Sequence, residues 1–149
     1  MDVRYVVATI HLLTFGLGFS ACWMRATALR RLKDQDGVKD VLFADNLWGL
    51  AALLWILTGL WRAFGGLEKG SDYYLHNTAF IIKMSLFVII FALEMKPMIT
   101  IMKWRIRNRK GLSTDVSVAP SLARTTYIQL ILVIFIVAMA TAMARGVLY

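Results

Sequence analysis

Four apolar segments constrain the fold of this chain more than any other feature. Residues 3–24, 42–61, 75–95 and 128–144 are each long enough to cross a bilayer as a helix, which takes about 20 residues. Hydrophobic residues make up 59% of the chain, above the roughly 45–50% of soluble domains. The sequence therefore predicts an all-α integral membrane four-helix bundle, with residues 1–149 forming a single domain.

The basic residues predict how the four spans are oriented. The net charge is +8, and most lysines and arginines lie in the first and third connections, around "RRLKDQDGVK" and "KWRIRNRK". By the positive-inside rule, these connections face the cytoplasm and both termini lie on the other side. We expect the basic residues to contact lipid headgroups, and we expect no nucleic-acid partner.

A polar stripe runs along the third span. His76, Lys83 and Glu94 are separated by seven and eleven residues, which returns their side chains to nearly one face of a helix. Ionised side chains within a bilayer are costly, so they face the protein interior and pair or bind a ligand. The stripe therefore predicts a buried site rather than a lipid-facing surface.

Position along each span predicts two polar clusters at different depths. His11 and Lys83 lie about 12 Å from the outer surface, at 1.5 Å per residue, with Arg62 and His76 nearer that surface. Arg25, Asp45 and Glu94 lie toward the inner side, where they form either an ion-pair network or a proton relay. The candidate catalytic residues are Lys83, Glu94 and Asp45.

The outer cluster suits haem better than a bare metal ion. Haem iron needs one or two axial ligands, most often histidine, whereas zinc and iron–carboxylate sites need three or four ligands together. His11 is the first candidate ligand of the metal, with Lys83 or His76 as the second. Arg62 could bind a propionate, and Trp55 is either a cofactor wall or a packing residue.

Three segments carry a resemblance to known families. "HLLTFGLGFSACWMR", "ADNLWGLAALLWILTGLWRAFGGLEKG" and "YYLHNTAFIIKMSLF" resemble a bacterial family of small four-span membrane proteins, a domain of unknown function, along almost the whole chain. An early histidine in span 1, an arginine at its end and a lysine in span 3 are similar to HemJ-type protoporphyrinogen oxidases, which are related to CopD-like membrane proteins. That resemblance implies haem b, with His11 and Lys83 important to its site.

These observations leave three hypotheses. The first is a haem-binding redox protein of the bacterial inner membrane, with a HemJ-like oxidoreductase as its narrower form. The second is a non-enzymatic transport protein, with the polar stripe as an ion or solute site. The third is a structural subunit that binds a membrane-protein partner or a second copy of itself. The residues leave open whether the protein is an enzyme.

Overall fold

The computed structural model describes residues 2–66 and 76–147, which form four long helices. A short 3-10 turn, Val116–Val118, precedes the last helix. The four long helices are each long and apolar enough to cross a membrane, which confirms the predicted all-α, four-span architecture. The predicted start of span 3 at residue 75 lies outside the described residues. The helices are α1 (Val3–Arg31), α2 (Val38–Phe64), α3 (Thr78–Arg109) and α4 (Ala119–Ala144).

Local sequence signals set where the helices begin. Asp2 precedes α1 and its carboxylate accepts a hydrogen bond from the Arg4 N–H, while the Asn77 side chain accepts from the Phe80 N–H at the start of α3. Both side chains satisfy an N–H group that the first helical turn leaves unbonded. Pro97 does not end α3, which runs on to Arg109.

The helices form a bundle in which α1 packs between α2 and α4, and α3 packs mainly on α4. The contact between α2 and α3 is much smaller, and α1 and α3 lie diagonally with no close backbone approach. At Gly18 of α1, an added Cβ would lie 3.4 Å from the Ala51 Cβ of α2. Small side chains therefore allow this pair of helices to approach closely, as is common in membranes.

The two ends of the bundle differ in how tightly they are packed. We call the end with the α1–α2 and α3–α4 connections the basic end, and the end where α1 begins and α4 ends the terminal end. All four helices or their flanks contribute to a buried core at the basic end. That core consists of Leu29, Leu32, Val38, Val41, Ile101, Trp104, Ala119, Leu122 and Ala123.

In the terminal half, α2 and α4 bury few of their side chains. Among the described residues, α2 contributes no buried residue after Ala51, and α4 contributes none after Ile136. Beyond those positions α2 continues for about three and a half turns and α4 for about two. The largest buried core therefore lies at the basic end, while α1 and α3 still bury Val7, Ala79 and Phe80 in the terminal half.

The two connections at the basic end are joined directly to each other. The Gln35 side chain donates to the Thr114 carbonyl and accepts from both the N–H and the hydroxyl of Thr114, all at 2.8 Å. Thr114 is buried, although it lies in a loop. This pairing fixes the first connection against the third.

Candidate functional site

His11 lies in the terminal half and is oriented by α2. Its Nδ1 is 2.8 Å from the Thr58 Oγ1, and the Thr58 hydroxyl lies 2.7 Å from the Leu54 carbonyl oxygen one turn earlier. A threonine hydroxyl within a helix often bonds in this way to the carbonyl four residues before it. The imidazole is therefore linked to the backbone of α2 by hydrogen bonds through the Thr58 side chain.

Trp55 and Gly59 complete the surroundings of the His11 ring. The indole of Trp55 stacks on the imidazole with 5.7 Å between ring centroids and 26° between planes. A Cβ at Gly59 would lie 3.3 Å from His11 Cε1, so the glycine permits the ring to approach α2. The Trp55 indole N–H is buried and has no hydrogen-bond acceptor within residues 2–66 and 76–147, which is unusual for a buried donor.

Two cations lie near this histidine. Lys83 on α3 is half-buried, with its Nζ 4.9 Å from the centroid of the Phe80 ring, within range of a cation–π interaction. Lys83 and Arg62 are both close enough to act on His11 electrostatically. His76 is exposed and lies just before α3. The structure thus brings His11, Lys83 and Arg62 into one region, and their roles as ligands stay predictions.

The donor set of this region differs from that of a zinc or iron–carboxylate centre. Within residues 2–66 and 76–147, no three histidine, cysteine or acidic side chains are grouped so that they could hold a metal ion. Such centres require three or four ligands.

A second polar cluster crosses the bundle nearer the basic end. The fully buried Arg25 guanidinium of α1 donates to Asp45 of α2 at 3.1 Å and to the two oxygens of Glu94 of α3 at 2.6 and 2.8 Å. It also donates to the Gln129 Oε1 of α4 at 3.2 Å. One side chain therefore binds all three other helices, and it spans the diagonal between α1 and α3.

The remaining members of this cluster complete its charge balance. Arg105 of α3 donates to the second oxygen of Asp45 at 2.8 Å, and the Gln129 amide donates to Glu94 at 2.7 Å. Two arginines thus face two carboxylates, and the glutamine donates and accepts between them. We call these five residues (Arg25, Asp45, Glu94, Arg105 and Gln129) the Arg25 network.

The sequence predicted part of this network. The grouping of Arg25, Asp45 and Glu94 is observed as ion pairs, while the catalytic role assigned to the two acids stays a prediction. Arg105 belongs to the basic segment expected to contact lipid headgroups, and it pairs with Asp45 instead; Gln129 is a member that the sequence does not predict. The available signal for Gln129 was a lone amide near the start of an otherwise apolar span, where an amide needs a partner.

The aromatic side chains near the middle of the bundle join the two clusters. Trp48 is buried, and the Cζ atom of Arg25 lies 5.5 Å from the centroid of its ring. Trp55 lies two turns further along α2. Both tryptophans line a cavity of about 10 Å³, together with Thr14 and mostly apolar residues. It has room for about one water molecule.

Comparison with known proteins identifies the family. A family described as "Predicted membrane protein (DUF2214)" matches residues 3–148. The chain belongs to this family. Neither a curated protein nor a solved structure matches the chain. The DUF2214 assignment confirms the predicted resemblance to a four-span family of unknown function, and it describes an integral membrane protein.

Proposed function

We propose that this DUF2214 protein binds haem b in the terminal half of its bundle and serves a redox function in the bacterial inner membrane. The observation that carries the proposal is the surroundings of His11. A histidine oriented through one ring nitrogen lies beside a buried, unpaired indole N–H, in the half of the bundle where α2 and α4 bury no residue near their ends.

The residues around His11 fit this group chemically. A ligating histidine usually has its other ring nitrogen hydrogen-bonded to a neighbouring group, and Thr58 supplies that bond. The surrounding walls are aromatic and aliphatic, as suits the porphyrin face. The Trp55 N–H is a donor available to an acceptor on the bound molecule, and Arg62 offers a cation for a propionate.

Each residue has a proposed role toward the cofactor. His11 would hold the iron, and Lys83 would serve as the second ligand or as a proton acceptor, with His76 as the alternative ligand. Haem supplies one-electron chemistry when it is bound. Porphyrinogen oxidation, which the HemJ resemblance implies, is the narrower form of this proposal.

The contacts of the Arg25 network favour a structural role for Asp45 and Glu94 over proton transfer. Glu94 accepts two hydrogen bonds from Arg25 and one from Gln129, and Asp45 accepts from two arginines. Both oxygens of each acid are therefore occupied as hydrogen-bond acceptors by side chains of the network. This arrangement suits a fixed ion-pair network.

Purification from haem-supplied cells tests the proposal. We expect a Soret band and a b-type pyridine haemochrome spectrum in the wild-type protein, and their loss in His11→Ala. Lys83→Ala and His76→Ala should distinguish the second ligand, because only loss of a true ligand changes the spin state of the iron. A folded, monodisperse wild-type preparation without bound haem would contradict the proposal.

A second candidate function follows from the packing of α3. Only 17% of the residues in its apolar membrane segment are buried, against 22–28% in the other three helices. This low burial stands out because α3 carries the charged Lys83 within that segment. This favours an assembly subunit whose α3 packs against a helix of another membrane protein or of a second copy. Cross-linking from a cysteine at the outward-facing Val88 should then capture a discrete partner, and Trp23→Cys on α1 is the matched control.

A further inference from the structure

The hydrogen bonds of Thr58 determine which nitrogen of His11 carries a proton. The Thr58 hydroxyl has a single hydrogen and three close neighbours: the Leu54 carbonyl oxygen at 2.7 Å, the Trp55 carbonyl oxygen at 3.2 Å and His11 Nδ1 at 2.8 Å. Both carbonyl oxygens can only accept. The hydroxyl hydrogen therefore points to the carbonyl side, toward the nearer Leu54 oxygen, because otherwise two lone-pair-bearing oxygens would face each other at 2.7 Å.

It follows that Thr58 accepts a hydrogen bond from His11. With its hydrogen committed to Leu54, Thr58 Oγ1 presents a lone pair to Nδ1, so Nδ1 carries the proton. In a neutral imidazole only one nitrogen is protonated, which leaves the lone pair on Nε2. From these contacts we infer that Thr58 is a positioning residue that fixes His11 in the Nδ1–H tautomer and presents Nε2 to a ligand.

The surroundings hold the ring in the orientation that this tautomer requires. Trp55 stacks on one face of the imidazole, and Gly59 lies against the Cε1 edge, where any larger residue would displace the ring. A ring flip would exchange Nδ1 with a carbon atom opposite Thr58 and lose the hydrogen bond. The identity of the ligand as haem iron rests on the proposed function, whereas the tautomer rests on the protein's own contacts.

Nitrogen NMR of the protein without added haem tests the tautomer directly. The chain has two histidines, so ¹⁵N-histidine labelling in nanodiscs gives two imidazoles, and His76→Asn leaves His11 alone. Protonated and unprotonated ring nitrogens differ widely in ¹⁵N chemical shift. We expect His11 with a protonated Nδ1 and an unprotonated Nε2, and the reverse assignment or a doubly protonated ring would overturn the inference.

Variants of Thr58 test its positioning role. Thr58→Val removes the hydroxyl at nearly constant shape and should produce a mixture of tautomers, while Thr58→Ser should keep the wild-type spectrum. Thr141→Val is the matched control, because Thr141 makes the same bond to the carbonyl four residues earlier on an exposed part of α4. A Thr58→Val spectrum identical to the wild type would contradict the role. If that variant does not fold, the wild-type and Thr58→Ser spectra still decide the tautomer.

Haem titration separates this inference from the proposed function. Loss of a residue that orients a metal ligand typically weakens binding about 10- to 100-fold, so Thr58→Val should show that loss and Thr58→Ser should not. The Nδ1–H tautomer without any haem binding would refute the proposed function alone. Haem binding through a histidine that is protonated on Nε2 before loading would refute the tautomer alone.

Discussion

Replacing Arg25 with methionine should destabilise the bundle, because it leaves Glu94 without a cation while Asp45 keeps one. Arg25 is fully buried and makes four hydrogen bonds to three helices, two of them to Glu94. In Arg25→Met, Asp45 keeps its ion pair with Arg105 at 2.8 Å. Glu94 retains only the Gln129 amide among the contacts described for it.

The expected cost is that of leaving Glu94 charged without its cation. Removing one partner of a buried ion pair costs about 3–5 kcal/mol in soluble proteins, and interhelical hydrogen bonds within membranes average nearer 0.6 kcal/mol. We therefore expect Arg25→Met to lower the free energy of unfolding by about 3 kcal/mol. Replacing an entire buried pair with uncharged groups is often nearly neutral, so adding Glu94→Gln should restore at least half of that loss.

The comparison with Asp45 makes the test specific. Arg25→Met combined with Asp45→Asn should recover little, because it leaves Arg105 without the carboxylate it pairs with. SDS-induced unfolding in detergent micelles, followed by circular dichroism rather than by the fluorescence of the adjacent Trp48, measures these differences. Arg124→Met, at an exposed position of α4, is the control for loss of an arginine. Equal recovery by the two double variants, or a cost of Arg25→Met below about 0.5 kcal/mol, would refute this reasoning.

Two further predictions concern the basic end. Gln35→Ala removes three hydrogen bonds to Thr114, so we expect the free energy of unfolding to fall by about 1–3 kcal/mol and the Thr114 amide to exchange faster. Gln35→Glu is the control, because it keeps the two contacts in which Gln35 is the acceptor. Unchanged exchange in Gln35→Ala would show that the two connections are not coupled. The pKa of the Asp115 carboxyl is held below its ordinary value because the Ser117 hydroxyl and N–H donate to it. The hydrogen bonds from Ser117 to Asp115 should therefore be intact above the ordinary pKa of an aspartate and lost as the pH falls through the lowered pKa. Ser117→Ala should raise the NMR titration midpoint, and an unshifted midpoint would contradict this assignment.

The membrane architecture could be predicted because apolar length alone determines it. At the basic end, however, every predicted span is shorter than the observed helix. Span 1 was expected to stop at residue 24, whereas α1 continues to Arg31, and α4 begins at Ala119 rather than near residue 128. These extensions mix basic and apolar residues, so their mean hydropathy is low. Packing against one another around Leu29 and Trp104 makes them helical.

The candidate site was predictable in residue type and depth but not in its contacts. The cost of burying charge indicates that Arg25, Asp45 and Glu94 must find partners, and equal depth makes them candidates for one another. Pairing across the diagonal depends on side-chain reach and helix rotation, which the sequence does not specify. The Thr58 contact with His11 was missed for the same reason, since a threonine within an apolar helix gives no signal of the residue it faces.

The Arg25 network also has a consequence for how the protein enters the bilayer. Its charges are distributed so that α1 and α2 together contribute one cation and one anion, α3 contributes one of each, and α4 contributes an uncharged amide. Polypeptides emerge from the ribosome N-terminus first, so the first hairpin can neutralise Arg25 with Asp45 before α3 is made. Each successive stage of insertion then delivers network side chains with no net charge: the diagonal bond to Glu94 follows with α3, and the Gln129 contacts of α4 form last.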